Sequence, residues 1–406
     1  MSRQTVVVAD DLTSATEVAS RMGSAADPAL VLFDPSAGPP SRLAGRTCVV
    51  TQSRGLSATA AASVVRRCLE SYVAAEQPPV TVVKTMDSSL RGNWAVELAA
   101  VVNVVRARVA IVAPAFPEQG RVTRHGLQIA DGLLVHEGPA AQDPRSPVTS
   151  SRIAAHLETV GLLALELPRP SLDGGRRLTR EVEAARPTTV AIVVDVEDDD
   201  DLQMIANLAS EPDVVWCAGP GLARALVSVA RPVVADAMPR LPAALCVVGS
   251  LHPHTRRQVL EARSQGVPVV HATDVPGASR VVGEVVTALR DQGRAVLCSP
   301  SSPIDRPDDL LATITRAVLL RQPQTGLVLS GGDTALAVAL GLGAASMTVG
   351  GECSPGAPWG RLDDDGRTVV VTKAGGFGDG DAITSLLSAL APATRPLAAS
   401  RPRRLS

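Results

Sequence analysis

One unit recurs along the sequence: a short β-branched apolar run, a polar or glycine-containing turn, then a stretch of helical length rich in Ala, Leu and Val. In the first half the runs fall at residues 5–8, 80–83, 110–112 and 190–194. In the second they fall at 244–248, 267–271, 295–298, 327–329 and 368–372. Strands apolar throughout need cover on both faces, and helices between successive strands supply it when the strands run parallel. The expected fold is therefore α/β, with two domains, each a mainly parallel sheet flanked by helices. A length of 406 residues agrees, being more than one ordinary core requires.

Pro232, Pro239 and Pro242 punctuate residues 231–243, which suits a linker between a first domain at 1–230 and a second at 244–391. The segment 392–406, rich in Pro, Ala and Arg, is expected to be disordered. The acidic run 197–201 reads as a solvated turn opening a helix.

Composition excludes several function classes. Net charge is −2 and only seven aromatics occur, so neither a basic surface nor a stacking platform for nucleic acid is expected. Six cysteines without C-x-x-C spacing give no zinc knuckle and no disulfide framework. His252 and His254 read as a surface turn. No run of 18 apolar residues and no secretory leader is seen, so no membrane partner and a cytoplasmic location are expected.

Open parallel sheets bind ligands beyond the carboxyl ends of their strands, so the residues after each run carry the functional information. Asp10 and Asp11 follow the first run, and Ser14-x-x-Glu17 reads as a capping box starting a helix that stops near Gly23. Two adjacent carboxylates there serve a helix start or bind a polyol and take its proton. Lys84, Asp87, Ser88 and Arg91 follow the run at 80–83. They offer an anion clamp, with an internal Asp87–Arg91 ion pair as the competing reading. Residues 114–126 read as a shaped loop. In the second half, Gly249-Ser250, Ser330-Gly331-Gly332-Asp333-Thr334 and Lys373-Ala374-Gly375-Gly376 follow strands. Three glycine turns with free N–H groups favour a nucleotide or polyphosphate site. No Walker-A, G-x-S-x-G or H-E-x-x-H motif occurs, and residues 341–346 read as a helix stop.

With these residues in view, the chain resembles the four-carbon acid sugar kinase family. Ala9-Asp10-Asp11-Leu12-Thr13-Ser14-Ala15 is similar to its A-D-D-L-T-G-A signature, with Ser14 in the glycine position. Residues 84–92 resemble K-x-x-D-S-T-L-R-G with Ser89 for Thr; 113–123 and 143–148 resemble A-P-A-F-P-x-x-G-R-x-T and D-P-x-x-P-V. Ser53-Arg54 stands where the family often has Ser/Thr-Arg. Gly249 through Gln258, Gly331–Thr334, Pro355–Pro358 and Lys373–Gly378 resemble its second-domain motifs.

The resemblance implies an ATP-dependent kinase acting on a small sugar acid, with the active site in the cleft between the domains. It implies that Asp10, Asp11, Ser53, Arg54, Lys84, Asp87, Ser88 and Arg91 face the acceptor, one of the two N-terminal aspartates being the base. It implies ATP on Ser250, Gly331, Gly332, Asp333, Thr334, Gly375 and Gly376, with Mg²⁺ near Asp333, no assigned metal ligand, and room for a homo-oligomer. Two rivals stand beside it: a ribokinase-type kinase with Asp381 as base, and a sensor that binds sugar acid or nucleotide without turnover.

Overall fold

The computed structural model describes residues 4–23, 28–36, 46–73, 80–143, 146–184, 189–208, 213–228, 237–250, 252–273, 277–300, 306–362 and 366–392. The chain divides into two units, Met1–Asp236 and Ala237–Ser406. Residues 231–236 of the expected linker and 393–406 of the expected disordered tail lie outside the described residues.

The first unit is built on β1 (Gln4–Ala9), β2 (Ala29–Leu32), β3 (Arg46–Val50), β4 (Val80–Thr85) and β5 (Val109–Ala113). A small antiparallel sheet follows, β6 (Arg121–Arg124), β7 (Leu127–Ala130) and β8 (Leu133–Leu134). Then come β9 (Leu163–Leu167), β10 (Val190–Val194) and β11 (Val214–Ala218). The main sheet runs β2-β3-β1-β4-β11-β5-β10-β9, and every pairing is parallel. Helices Ala58–Val73 and Trp94–Val105 pack Val65, Leu69, Leu98 and Val101 with the strand residues Val8, Val82, Ala110 and Val112. Helices Leu12–Met22 and Pro220–Ser228 pack together elsewhere in the unit. Each such buried aliphatic side chain contributes about 1.5–3 kcal/mol before chain entropy is set against it.

The second unit has β12 (Ala243–Val248), β13 (Val269–His271), β14 (Arg294–Cys298), β15 (Thr325–Ser330), β16 (Ser346–Ser354), β17 (Ala357–Leu362) and β18 (Val369–Lys373). Strands β13-β14-β12-β15-β18 are parallel, and β17 and β16 continue the sheet antiparallel. Its core joins Cys246, Val328, Trp359 and Val371 to Ile383 and Leu387 of helix Ala382–Leu390.

Local expectations needed correction in three places. The first helix begins at Leu12, with Asp11 as its N-cap accepting from the Ser14 N–H at 2.7 Å. Asp caps as well as Ser does, and it comes first once β1 ends, so Ser14-x-x-Glu17 is not a capping box. The shaped loop after β5 turns into two tight hairpins. His125-Gly126 and Asp131-Gly132 all have positive φ, between 52° and 82°, the geometry of the type I′ turn that matches strand twist. Finally, the acidic run does open a helix, Asp199–Ala206 capped by Asp198, but it is not wholly solvated. Asp201 is buried, accepting from Arg169 Nε at 2.7 Å and from the N–H groups of Glu197 and Ser171 at 3.0 and 3.2 Å.

Among the described residues no helix is long and apolar enough to cross a membrane. The cysteines are free thiols, and His252 caps the helix Pro253–Ser264.

Removing the charged acceptor at Asp201 is expected to cost about 1.5–3 kcal/mol. The exposed neighbour Asp200 should tolerate alanine within about 0.5 kcal/mol. Urea denaturation of Asp201→Ala and Asp200→Ala checks the difference.

Candidate active site

Strands β3, β1 and β4 are neighbours in that order, so the turns leaving them open side by side. Ala9 is level with Val50, and Val8 with Lys84. That adjacency gathers Asp10 and Asp11, Ser53 and Arg54, and Lys84 through Arg91 from three distant stretches of sequence. Arg54 forks onto Asp10, Nε to Oδ2 at 2.8 Å and Nη2 to Oδ1 at 3.2 Å, while its Nη1 lies 2.5 Å from Asp11 Oδ2. Arg91 does the same to Asp87 at 3.1 and 2.6 Å and reaches Asp143 at 3.2 Å. The Asp87–Arg91 pair weighed against an anion clamp is thus formed, yet Arg91 keeps 31% of its side chain exposed.

Lys84 is different. Its side chain has no exposed surface, and its ammonium lies 2.7 Å from Glu97, which is equally buried in the helix Trp94–Val105. This leaves no exposed ammonium for a substrate anion, against the expectation from the sequence. Burial works against the Lys84 charge, but the Glu97 carboxylate and then Asp10 override it and hold the ammonium above its ordinary value. Asp10 is likewise opposed by burial, and Arg54 and Lys84 together hold it ionised below the usual carboxylate range. Burial also acts against Asp87, where Arg91 and Arg54 prevail and depress it further. The charged forms of this cluster stabilise one another.

Further polar residues hold the cluster. Asn93 Nδ2 donates to the carbonyls of Ser53 and Leu56, both at 2.8 Å. Gln128 of β7 is fully buried; it donates to the Ser88 carbonyl at 2.8 Å and accepts from Thr123 at 2.7 Å. Ser146 accepts from the Gly92 N–H at 2.6 Å. Ser53 is buried, its hydroxyl 2.7 Å from that of Thr51. Gln52 and Leu90 adopt φ of 52° and 63°, strain of about 1–3 kcal/mol each that the rest of the cluster must offset.

In the second unit β12, β15 and β18 are neighbours, and the three glycine turns converge in the same way. A Cβ on Gly249 would lie 2.0 Å from Thr334 Oγ1, and one on Gly375 would lie 2.3 Å from Ser250 Oγ. Gly331 has φ of 107° and opens the helix Gly332–Gly341, with Asp333 in its first turn. Thr334 donates to Asp308 at 2.6 Å. Asp381, the rival base, is exposed and accepts from Ser385 of its own helix at 3.0 Å. The arrangement brings Ser250, Gly331, Thr334 and Gly375 together.

Sequence reasoning missed Glu97, Asn93, Gln128 and Asp308. Glu97 did leave a trace, as the lone charged residue in a helix that is apolar apart from Asn103. The other three are polar residues whose partners are far away in sequence.

Residues 5–226 match the family described as a sugar-binding N-terminal domain, and residues 245–383 match the nucleotide-binding C-terminal domain. A D-threonate kinase of Salmonella typhimurium is 31% identical, over 94% of this chain and 97% of its own length. A D-threonate kinase of Bordetella bronchiseptica is 32% identical, over 95% and 96% respectively. A solved Salmonella typhimurium protein superposes with a TM-score of 0.76 at 20% identity, covering 94% of this chain and 98% of its own, and so shares the fold.

Glu97→Ala would strand a buried ammonium and is expected to lower stability by about 3–5 kcal/mol, measured by chemical denaturation. Asp10 and Asp87 have folded values below the ordinary 3.8. Their contribution is therefore complete above that value and lost as pH falls below it. Acid titration of the melting temperature should show this loss, and Arg54→Met should flatten it.

Proposed function

The chain belongs to the four-carbon acid sugar kinase family, and on that premise we propose that it transfers the γ-phosphoryl group of ATP to the terminal hydroxyl of a tetronate such as D-threonate. The acceptor binds on the first unit, the nucleotide on the second. The observation that carries this reading is the Asp10–Asp11–Arg54 cluster beside Asp87–Arg91 at adjacent strand ends. Carboxylates accept from the acceptor's hydroxyls, while the exposed faces of Arg91 and Arg54 take its carboxylate.

Phosphoryl transfer asks for alignment and charge compensation more than covalent help. Asp10 is gripped by two arms of Arg54 and is 4% exposed, whereas Asp11 is 12% exposed. Asp11 is therefore assigned as the group that receives the hydroxyl proton, its Oδ1 oriented by Ser14 N–H and Thr13 Oγ1. Asp10 and Arg54 keep it in place. Lys84 sits behind them as a charge that adds to Arg54 in holding Asp10 ionised.

The glycine turns of the second unit offer N–H groups to the phosphates, and glycine at Gly249 and Gly375 lets those turns pack against Thr334 and Ser250, which a Cβ would strike. Among the described residues no group of three His, Cys, Asp or Glu side chains could cage a metal ion. That fits Mg²⁺, which takes most of its ligands from water and phosphate and needs only one or two carboxylates. Asp333, in the first turn after Gly331, would help to hold it. When bound, Mg²⁺ neutralises charge on the phosphate oxygens.

ADP release should follow addition of D-threonate, erythronate or a 3-oxo-tetronate to the protein with ATP. Turnover with none of them would remove the acceptor assignment. Asp11→Asn keeps a helix cap and loses the base, so kcat is expected to fall about 10²–10⁴-fold with little change in melting temperature. Asp381→Asn should leave kcat nearly unchanged; its abolition would move the base to the second unit.

A further inference from the structure

Two lysines lie at the carboxyl ends of strands, Lys84 one residue before the end of β4 and Lys373 the last of β18, and among the described residues only Lys84 meets a carboxylate. Lys84 is paired with Glu97, but Lys373, at the end of β18 and 2% exposed, makes no ion pair among the described residues. Its ammonium donates instead to three carbonyls of the turn that follows it: Ala374 at 2.9 Å, Gly375 at 3.4 Å and Phe377 at 2.9 Å. The helix Pro253–Ser264 completes the grip. Gln258 Nε2 donates to the carbonyls of Phe377, Gly378 and Asp379 at 3.1, 3.1 and 2.8 Å, and Thr255 donates to Gly375. His254 Nε2 stands 2.6 Å from the Gly378 carbonyl.

Five carbonyls of one short turn are thus drawn inward. A trans peptide points its N–H opposite to its C=O. The N–H groups of Gly375, Gly376, Gly378, Asp379 and Gly380 are therefore turned away from Lys373 and Gln258. Among the described residues none of the five donates to a protein acceptor. Outward N–H groups over a buried cation form an anion-binding concavity in which the cation lacks its counter-charge.

We propose that Lys373 is a positioning residue of the nucleotide site: it sets the glycine turn with its N–H groups outward, and its charge is compensated only when nucleotide phosphate occupies the turn. This rests on the reading of the second unit as the ATP-binding one. Burial pushes the Lys373 ammonium down to about 8, and the buried thiol of Cys246 on β12 opposes this weakly. The other ionisable groups around the turn are His252 and His254 of the adjoining helix, Asp379 and Asp381 of the turn and its helix cap, Asp333 after β15, and Asp308, which bonds Thr334. Bound phosphate favours the charged lysine and raises its value. Affinity for nucleotide is therefore complete below about pH 8 and falls as pH rises through that value.

The test is ADP binding by calorimetry and steady-state kinetics for wild type, Lys373→Met and Lys373→Arg between pH 6.5 and pH 9.5. Wild-type affinity should fall roughly tenfold for one pH unit above the free-protein value. Lys373→Met should show a KM for ATP raised about tenfold or more with the acceptor KM unchanged, and no step near that pH. Lys373→Arg, charged throughout, should lose the step while retaining more affinity than the methionine variant. A flat wild-type profile, or a methionine variant with the wild-type KM for ATP, would overturn the proposal. Should the methionine variant fail to fold, the wild-type profile and the arginine variant decide it. Absence of any ADP binding by the wild type at pH 7 would remove the nucleotide reading itself, and this inference with it.

Discussion

Parallel strand pairing is the constraint on which everything else here depends. Strands that run the same way all end at one edge, and the turns leaving neighbouring strands must open beside one another. In the first sheet the neighbours are β3, β1 and β4, and in the second β12, β15 and β18. Each triplet delivers three polar turns to one place. The apolar runs that lead to these turns are buried, so the charged groups of both clusters gather at the strand ends.

Charge burial is handled in two ways at those ends. In the first unit Lys84 and Glu97 neutralise each other with no exposed surface. The pair carries no net charge, yet its cation joins Arg54 in keeping Asp10 ionised against burial. A buried pair adds little net stability, and breaking it is costly; its worth lies in fixing the charge state next to it. In the second unit Lys373 donates to backbone carbonyls and, among the described residues, to no carboxylate. Carbonyl dipoles compensate a cation less than a carboxylate does, which leaves that strand end electrostatically incomplete until an anion arrives.

Much of the fold was legible because its signals are local. β-branched runs such as Ala-Ile-Val within β5 read as strands whatever surrounds them, and the first helix does end at Gly23 as its sequence suggests. The overlooked strands include β2 and β11, which are apolar throughout, and others whose sequence is locally mixed. Leu-Ala-Leu-Glu-Leu of β9 carries an acid, and Ala-Pro-Trp-Gly-Arg-Leu of β17 carries a proline and an arginine. They become strands because a neighbour's ladder needs pairing. The Asp11 cap was misread for a related reason: two residues able to cap stood three apart, and only the end of β1 decided between them.

Local sequence was enough to establish the α/β architecture with mainly parallel sheets, the family to which the chain belongs, and the turns at which its polar residues gather. Those are properties of short segments, set by local sterics and hydrophobic pattern. Tertiary structure alone decided what each polar residue in those turns does. Lys84 becomes a buried support where a substrate clamp was expected, because the helix that follows its own strand folds back and lays Glu97 against it. Arg54 is shared between Asp10 and Asp11 because β3 pairs beside β1. Gln128 steadies Ser88 from forty positions away. Electrostatic roles depend on which charges meet across space, and no local pattern records that.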